Sequence, residues 1–266
     1  MRFIYRALQA QPGSARTAMA ALALLSAWSL SACSALGPAP GTDLDGSAWA
    51  QATQLPTAGS GPGPGWHERR VGTRTPTRYV PTRHAGRPAL QADSDGGDSL
   101  VRVQLQAGEP LATRLHFSWF TDGLNHDADL ADTTVDDAVV RVILQFDGDR
   151  GRFAPRDHRM SELVRLVTGE PLPYATLVYV WDPVRPVGTV IRHQRTNRIR
   201  KLVVQSGTEG LGRWNDFERD VAADYRHAFG EAPAQLAFIA LMTDANNTGH
   251  RSKAWYGPLR WTPNAR

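Results

Sequence analysis

Cysteine is all but missing from these 266 residues, with Cys33 the single thiol. That excludes a disulfide framework and a cysteine-built zinc fold. Lysine is nearly as scarce: Lys201 and Lys253 stand alone, so the other 28 of the 30 basic side chains are arginine. A cationic excess is missing too. Arg2, Arg6 and Arg16, in a stretch of 32 residues without an acid, account for +3 of the formal +4. The remaining chain nets +1, too little to neutralise a phosphate backbone, which argues against nucleic acid as a partner. The longest apolar run, Ala18–Leu30, is too short to span a bilayer. There is no G-x-S-x-G elbow, H-E-x-x-H helix or Walker loop, and the eight histidines never fall at metal-ligand spacing. Aromatic residues are plentiful, at 8 Trp, 8 Phe and 6 Tyr, which excludes wholesale disorder.

The three arginines, the apolar run and Leu30-Ser31-Ala32-Cys33 describe an export signal over 1–32. The last four residues resemble the lipobox of bacterial lipoproteins. That resemblance implies that Cys33 carries acyl chains, palmitate among them, and anchors the protein without a transmembrane helix. Ser34 after the cysteine implies sorting to the outer membrane of a Gram-negative bacterium, facing the periplasm. Residues 33–65 are rich in Pro and Gly without apolar periodicity and read as a flexible lipid-anchored tether. A folded domain is expected over 66–262.

Most of that domain reads as short strands. Leu115, Phe117 and Trp119 alternate with His116, Ser118 and Phe120, and Val140, Val142, Leu144 and Phe146 alternate with Arg141, Ile143 and Gln145. Further runs over 100–105, 175–181, 201–206, 236–243 and 254–261 bring the number to seven. With little helix between them, they predict a mostly β, antiparallel sandwich. One short amphipathic helix is expected from Phe217 to Gly230, where Phe217, Val221, Tyr225 and Phe229 recur every four residues. Asn215 or Asp216 would cap its start and Gly230 its end. Asp220 and Asp224, one turn apart, predict a neighbouring cation: Arg219, Arg226 or an arginine from a strand.

Three clusters carry candidate chemistry. Asp127, Asp129, Asp132, Asp136 and Asp137 fall within eleven residues, a density that suits a structural calcium or a solvated acidic loop. Arg141 shares a strand face with Val139 and Ile143 and, if buried, needs a carboxylate. Thr243-Asp244-Ala245-Asn246-Asn247-Thr248 follows an apolar strand, where a loop either holds a ligand or simply turns the chain. The basic run Arg192, Arg195, Arg198, Arg200 and Lys201 reads as a solvated, charge-guarded edge, or as a surface for an anionic lipid or glycan.

Several segments together resemble the bacterial family catalogued as domain of unknown function 3047. They are Trp119, Asp136-Asp137 before Arg141, Tyr179-Val180-Trp181 and Arg219-Asp220-Val221-Ala222-Ala223-Asp224-Tyr225. Met242-Thr243-Asp244-Ala245-Asn246-Asn247-Thr248 and Tyr256-Gly257 complete the series. The resemblance implies a jelly-roll sandwich of the galactose-binding type, akin to carbohydrate-binding modules, and no established activity. Asn246 and Pro258 stand where the family usually has acids, which weakens the case for calcium.

The reading that follows is a periplasm-facing, lipid-anchored, non-catalytic module for an envelope glycan, with no cofactor. Trp119, Tyr179, Trp181 and Tyr256 would form its aromatic platform. Asp136, Asp137, Arg141, Arg219, Asp220, Asp224, Asp244 and Asn246 would supply directional hydrogen bonds. One alternative is a structural or assembly lipoprotein that binds an envelope protein through an exposed apolar patch. The other is a polysaccharide hydrolase using two aspartates as acid and base.

Overall fold

The computed structural model describes residues 65–71, 74–105 and 113–263. The signal over 1–32, the lipidated Cys33 and all but the end of the tether over 33–65 lie outside the described residues. Two β-sheets form the expected sandwich. The first has seven strands in the order β1 (His67–Arg70), β4 (Ser99–Gln104), β11 (Leu236–Met242), β6 (Arg141–Phe146), β7 (Ala175–Asp182), β9 (Ile199–Ser206) and β8 (Val190–Arg192). The second runs β10 (Asn215–Asp220), β5 (Thr113–Phe120), β12 (Arg251–Tyr256), β3 (Arg87–Asp95) and β2 (Arg78–His84), with β13 (Arg260–Pro263) also paired to β5.

Period-two alternation decides which side chains meet between the sheets. Val142, Leu144 and Phe146 of β6 and Leu177, Tyr179 and Trp181 of β7 point inward against Leu115, Phe117 and Trp119 of β5. The opposite face of the seven-stranded sheet is also apolar, with Leu100, Ile143, Val178, Val180, Val203, Ala240 and Met242 in a second cluster. A strand apolar on both faces needs a cover on each.

Three expectations are corrected. The sheets are antiparallel except at β7 and β9, which pair in parallel because the chain between them crosses over through β8. The helix expected from Phe217 begins at Val221: Phe217 lies in β10 opposite Phe117, and Asp220, not Asn215 or Asp216, caps α2 (Val221–Phe229) by accepting from Ala223 N–H. Gly230 ends it at φ 73°, the left-handed position that glycine adopts without strain. There is also a second helix, here α1 (Pro155–Thr168), begun by Pro155 in its first turn and ended by Gly169. Sequence periodicity gave no hint of α1 because its apolar side chains do not form a core stripe. Only Asp157 and Ser161 of its fourteen residues are buried.

Candidate functional site

β6 and β11 are neighbours, so Arg141 at the start of β6 lies opposite Met242 at the end of β11. The acid-rich segment before β6 and the Thr243–Thr248 loop after β11 therefore meet at one end of the outer face. Arg141 is buried, as its apolar neighbours predicted, and finds its carboxylates. Its Nε and Nη2 donate to Asp244 at 3.1 and 3.0 Å, and Nη2 also donates to Asp136 at 3.0 Å. Lys201, outward-facing on β9, pairs with Asp136 and donates to the Leu130 carbonyl at 2.6 Å. Asp244 further accepts the Ala138 N–H at 2.9 Å.

Asp137 does a different task. Its carboxylate takes the backbone N–H groups of Asn247 and Thr248 and the Thr248 hydroxyl, at 3.1, 2.7 and 2.6 Å. It thereby ties the 243–249 loop to the start of β6. The rest of the acidic run disperses. Asp129 pairs with Arg185, Asp127 with His250, and Asp132 caps its own turn at Thr134. Among the described residues no group of three or more His, Cys, Asp or Glu is placed to hold a metal ion.

Burial and charge compete here. Burial pushes the Asp244 carboxyl up to about 6 despite Arg141, and the charges of Asp136 and Asp137 add to the rise. Burial acts the same way on Asp136, but Arg141 and Lys201 outweigh it and hold that carboxyl below its ordinary range. Burial, reinforced by Arg141, lowers the Lys201 ammonium. Burial beside Lys201 likewise lowers His193.

A second, half-buried ion pair lies where α2 meets β10 and β7. Arg219 on β10 donates to Asp224 of α2 at 2.9 and 2.5 Å, and the Tyr179 hydroxyl donates to the same carboxylate at 2.8 Å. The cation sought beside Asp224 is thus Arg219, and Asp220 is occupied as a helix cap.

The aromatic platform is not on the surface. Trp119 and Tyr179 are 0% exposed, Trp181 and Tyr256 1%. Each polar handle is engaged: Trp119 Nε1 to Gln205 at 2.6 Å, Trp181 Nε1 to the Gly207 carbonyl at 2.8 Å, and the Tyr256 hydroxyl to the Met242 carbonyl at 2.5 Å. Inward-facing strand positions explain this, since a large aromatic there completes the core. Gly257 follows Tyr256 because a Cβ at that position would overlap the Ser118 hydroxyl.

Two adjoining cavities open on the outer face and share Val71, Arg141, Met160 and Met242 as walls. The polar one, about 260 Å³, lies against Thr133, Asp136, His193, Arg195, Asn246 and Asn247. There the Arg195 guanidinium and the Asn246 amide make no hydrogen bond or ion pair among the described residues. The apolar one, about 530 Å³, runs between the sheet and α1. Lys201 and Arg195 had signalled only a basic run, and His193 only one of eight histidines without metal-ligand spacing. The run's reading as a solvated edge holds at exposed Arg192 but fails at Arg200 and Lys201, which are buried. No helix among the described residues is long and apolar enough to cross a membrane.

The chain belongs to the family described as protein of unknown function DUF3047, whose model matches residues 64–260. A search of curated proteins finds no match. Among solved structures, it is similar to the xyloglucanase domain of NopAA, a type three effector from Sinorhizobium fredii, in complex with cellobiose. The two share 8% sequence identity and a TM-score of 0.41 over 74% of this chain and 92% of that one.

Proposed function

From membership of a family without an assigned activity, we propose that this domain is a non-catalytic binding module of the bacterial envelope. In this reading Cys33 anchors it by lipid to the outer membrane, the tether lets it reach into the periplasm, and its ligand is an envelope glycan. The observation that carries the reading is the polar cavity. Two of its carboxylates, Asp136 and Asp244, are already committed to Arg141, Lys201 and the Ala138 N–H, while Arg195 and Asn246 stand free beside them. A scaffold of saturated ion pairs holds such a wall rigid, and free amide and guanidinium groups are donors suited to hydroxyl and acidic sugar substituents. Asn246, named from the sequence, keeps a ligand role here. Trp119, Tyr179, Trp181 and Tyr256 leave it.

One observation favours the hydrolase alternative. Asp136 and Asp244 bind the same Arg141 nitrogen, and their surroundings move their proton affinities in opposite directions, the pattern of an acid and base pair. Against it, Asp244 has three donors on its carboxylate and is 4% exposed. One experiment separates the readings. The unit Pro38–Arg266, which contains both sheets and the whole described core, is incubated with peptidoglycan, lipopolysaccharide and exopolysaccharide. Protein depletion and released sugar are scored together. Saturable depletion without released sugar, weakened at least tenfold by Arg195→Ala with Asn246→Ala, is the expected result. Released sugar that disappears in Asp244→Asn would replace the module by a hydrolase. Neither signal would leave the assembly role.

A further inference from the structure

The apolar cavity between the sheet and α1 is not used by the glycan-binding reading. Its floor is the outer face of the seven-stranded sheet, with Leu100, Ile143, Val178 and Met242, and its roof is α1 through Met160 and Val164. The roof does not close on the floor. A fourteen-residue helix that packs on a sheet normally buries its apolar stripe, yet no apolar side chain of α1 is buried, and Leu163, Leu166 and Val167 are 50%, 80% and 63% exposed. The resulting space of about 530 Å³ falls in the range of roughly 300–1,000 Å³ that small-molecule sites occupy.

The rim of this space is cationic. Arg69, Arg70, Arg102 and Arg150 line it against only Glu170 and Asp147. Glu170 pairs with both Arg69 and Arg102, with contacts of 2.8, 2.9 and 2.7 Å, and its single charge offsets only one of them. Arg150 donates to the Leu172 carbonyl and reaches Asp147 only at 3.3 Å. Arg70 has no ion pair among the described residues. An apolar slot that leads to the polar cavity through shared walls and carries surplus arginine at its mouth matches an amphiphile. A bare sugar would leave the slot empty.

We infer that the ligand of this face carries an acyl chain, which enters the cavity between α1 and the sheet while an anionic group beside it meets the rim arginines. The inference deepens the glycan-binding reading and rests on it: the sugar would occupy the polar cavity and the chain the adjoining apolar one. Its class is therefore an acylated, anionic amphiphile. The chain excludes water from Leu100, Ile143, Val178 and Val164, an association driven by apolar area.

The test uses the Pro38–Arg266 unit, stripped of lipid, and three probes: dodecanoate, dodecanol and butyrate. Calorimetric titration is expected to give saturable, one-to-one binding of dodecanoate at least tenfold tighter than dodecanol, and none of butyrate. Val164→Trp, at a partly exposed position in the roof, should abolish binding of both twelve-carbon probes with a cooperative melt retained. Arg70→Ala should remove most of the preference for dodecanoate over dodecanol. Leu166→Ser, outside the cavity, should change nothing. Absence of saturable dodecanoate binding, or binding indifferent to Val164→Trp, overturns the inference. If glycan depletion persists in that case, the glycan reading survives alone. If depletion is lost as well, both fail.

Discussion

The two faces of the seven-stranded sheet are both apolar, and they are finished in different ways. On the inner face, Phe117 stacks on Tyr179 with ring centroids 5.6 Å apart, and Trp119 tilts over Phe217 at 4.8 Å. Trp119, Tyr179, Trp181 and Tyr256 are enclosed there, and the polar atom of each is hydrogen-bonded. On the outer face, Ile143, Val178 and Met242 face a helix that keeps its distance, with charge at both ends of the gap. The inner face shows the density that a core requires. The outer face holds the same kinds of strand residue without that density. Apolar side chains alone thus do not make a core. They make one only where the opposite layer interlocks with them, and a face left without such a layer is available for a ligand.

The largest expected effect lies on the inner face. Trp119→Ala empties a fully enclosed site and strands the Gln205 side-chain oxygen that Nε1 now satisfies. It should cost about 3–5 kcal/mol, read as a fall in the urea midpoint with an unchanged slope. A loss under about 1 kcal/mol would break the contrast, because it would mean that the inner face is as loosely filled as the outer.

A smaller effect tests the charged end of the outer face. A carboxyl whose folded pKa, about 6 for Asp244, exceeds its unfolded value of about 3.9 binds its proton more tightly in the folded chain. Its contribution to stability is therefore greatest below about pH 4 and declines as pH rises to about 6. Asp136, held below its ordinary range by Arg141 and Lys201, acts in the opposite sense, stabilising above about pH 4 and losing that contribution as pH falls. The decline from Asp244 amounts to about 2–3 kcal/mol. Asp244→Asn should remove it, so that between pH 4.5 and pH 7 the wild type loses about 2 kcal/mol of unfolding free energy relative to the variant, measured by urea unfolding at the two pH values. An identical difference at both pH values would show that Asp244 titrates as an ordinary carboxylate.

How far these faces were legible in the sequence follows from the same physics. The strands β4, β5, β6, β7, β9 and β11 announce themselves by alternation, and Arg141 among apolar neighbours announced its need for acids. Asp136, Asp137 and Asp244 stood out as short polar residues at strand ends, and the structure brings them together around β6. What period two does not state is which face is covered by what. Trp119 and Trp181 share an alternation compatible with either face, so a platform and a core looked alike. Phe217 fitted both a helical stripe and a strand, and pairing with Phe117 decided for the strand. Lys201 and Arg200 sat in a run of cations that reads as solvated. Only the fold shows that Lys201 turns toward Leu130 and Asp136. α1 was illegible because its apolar residues serve no core, which is also why it is informative.

The smallest expected effect is the sharpest test of the comparison. If α1 covers the outer face without interlocking with it, the side chains that point away from the cavity contribute little to folding. Leu166→Ser and Val167→Ser, at 80% and 63% exposure, should each change stability by no more than about 0.5 kcal/mol, the ordinary range for surface positions. Serine is a slightly poorer helix former than leucine, which accounts for a few tenths of that. Measured in the absence of any amphiphile, a loss above about 1 kcal/mol would mean that these side chains are buried when the protein is in solution. The helix would then have closed on the sheet and the outer face would be a second core. A loss that stays small without ligand, while bound dodecanoate raises the melting temperature of wild type but not of Val164→Trp, would show that α1 gains its packing from what it covers. The contrast between the faces would then be one of occupancy: the inner face is filled by the chain itself, the outer by a molecule the chain receives.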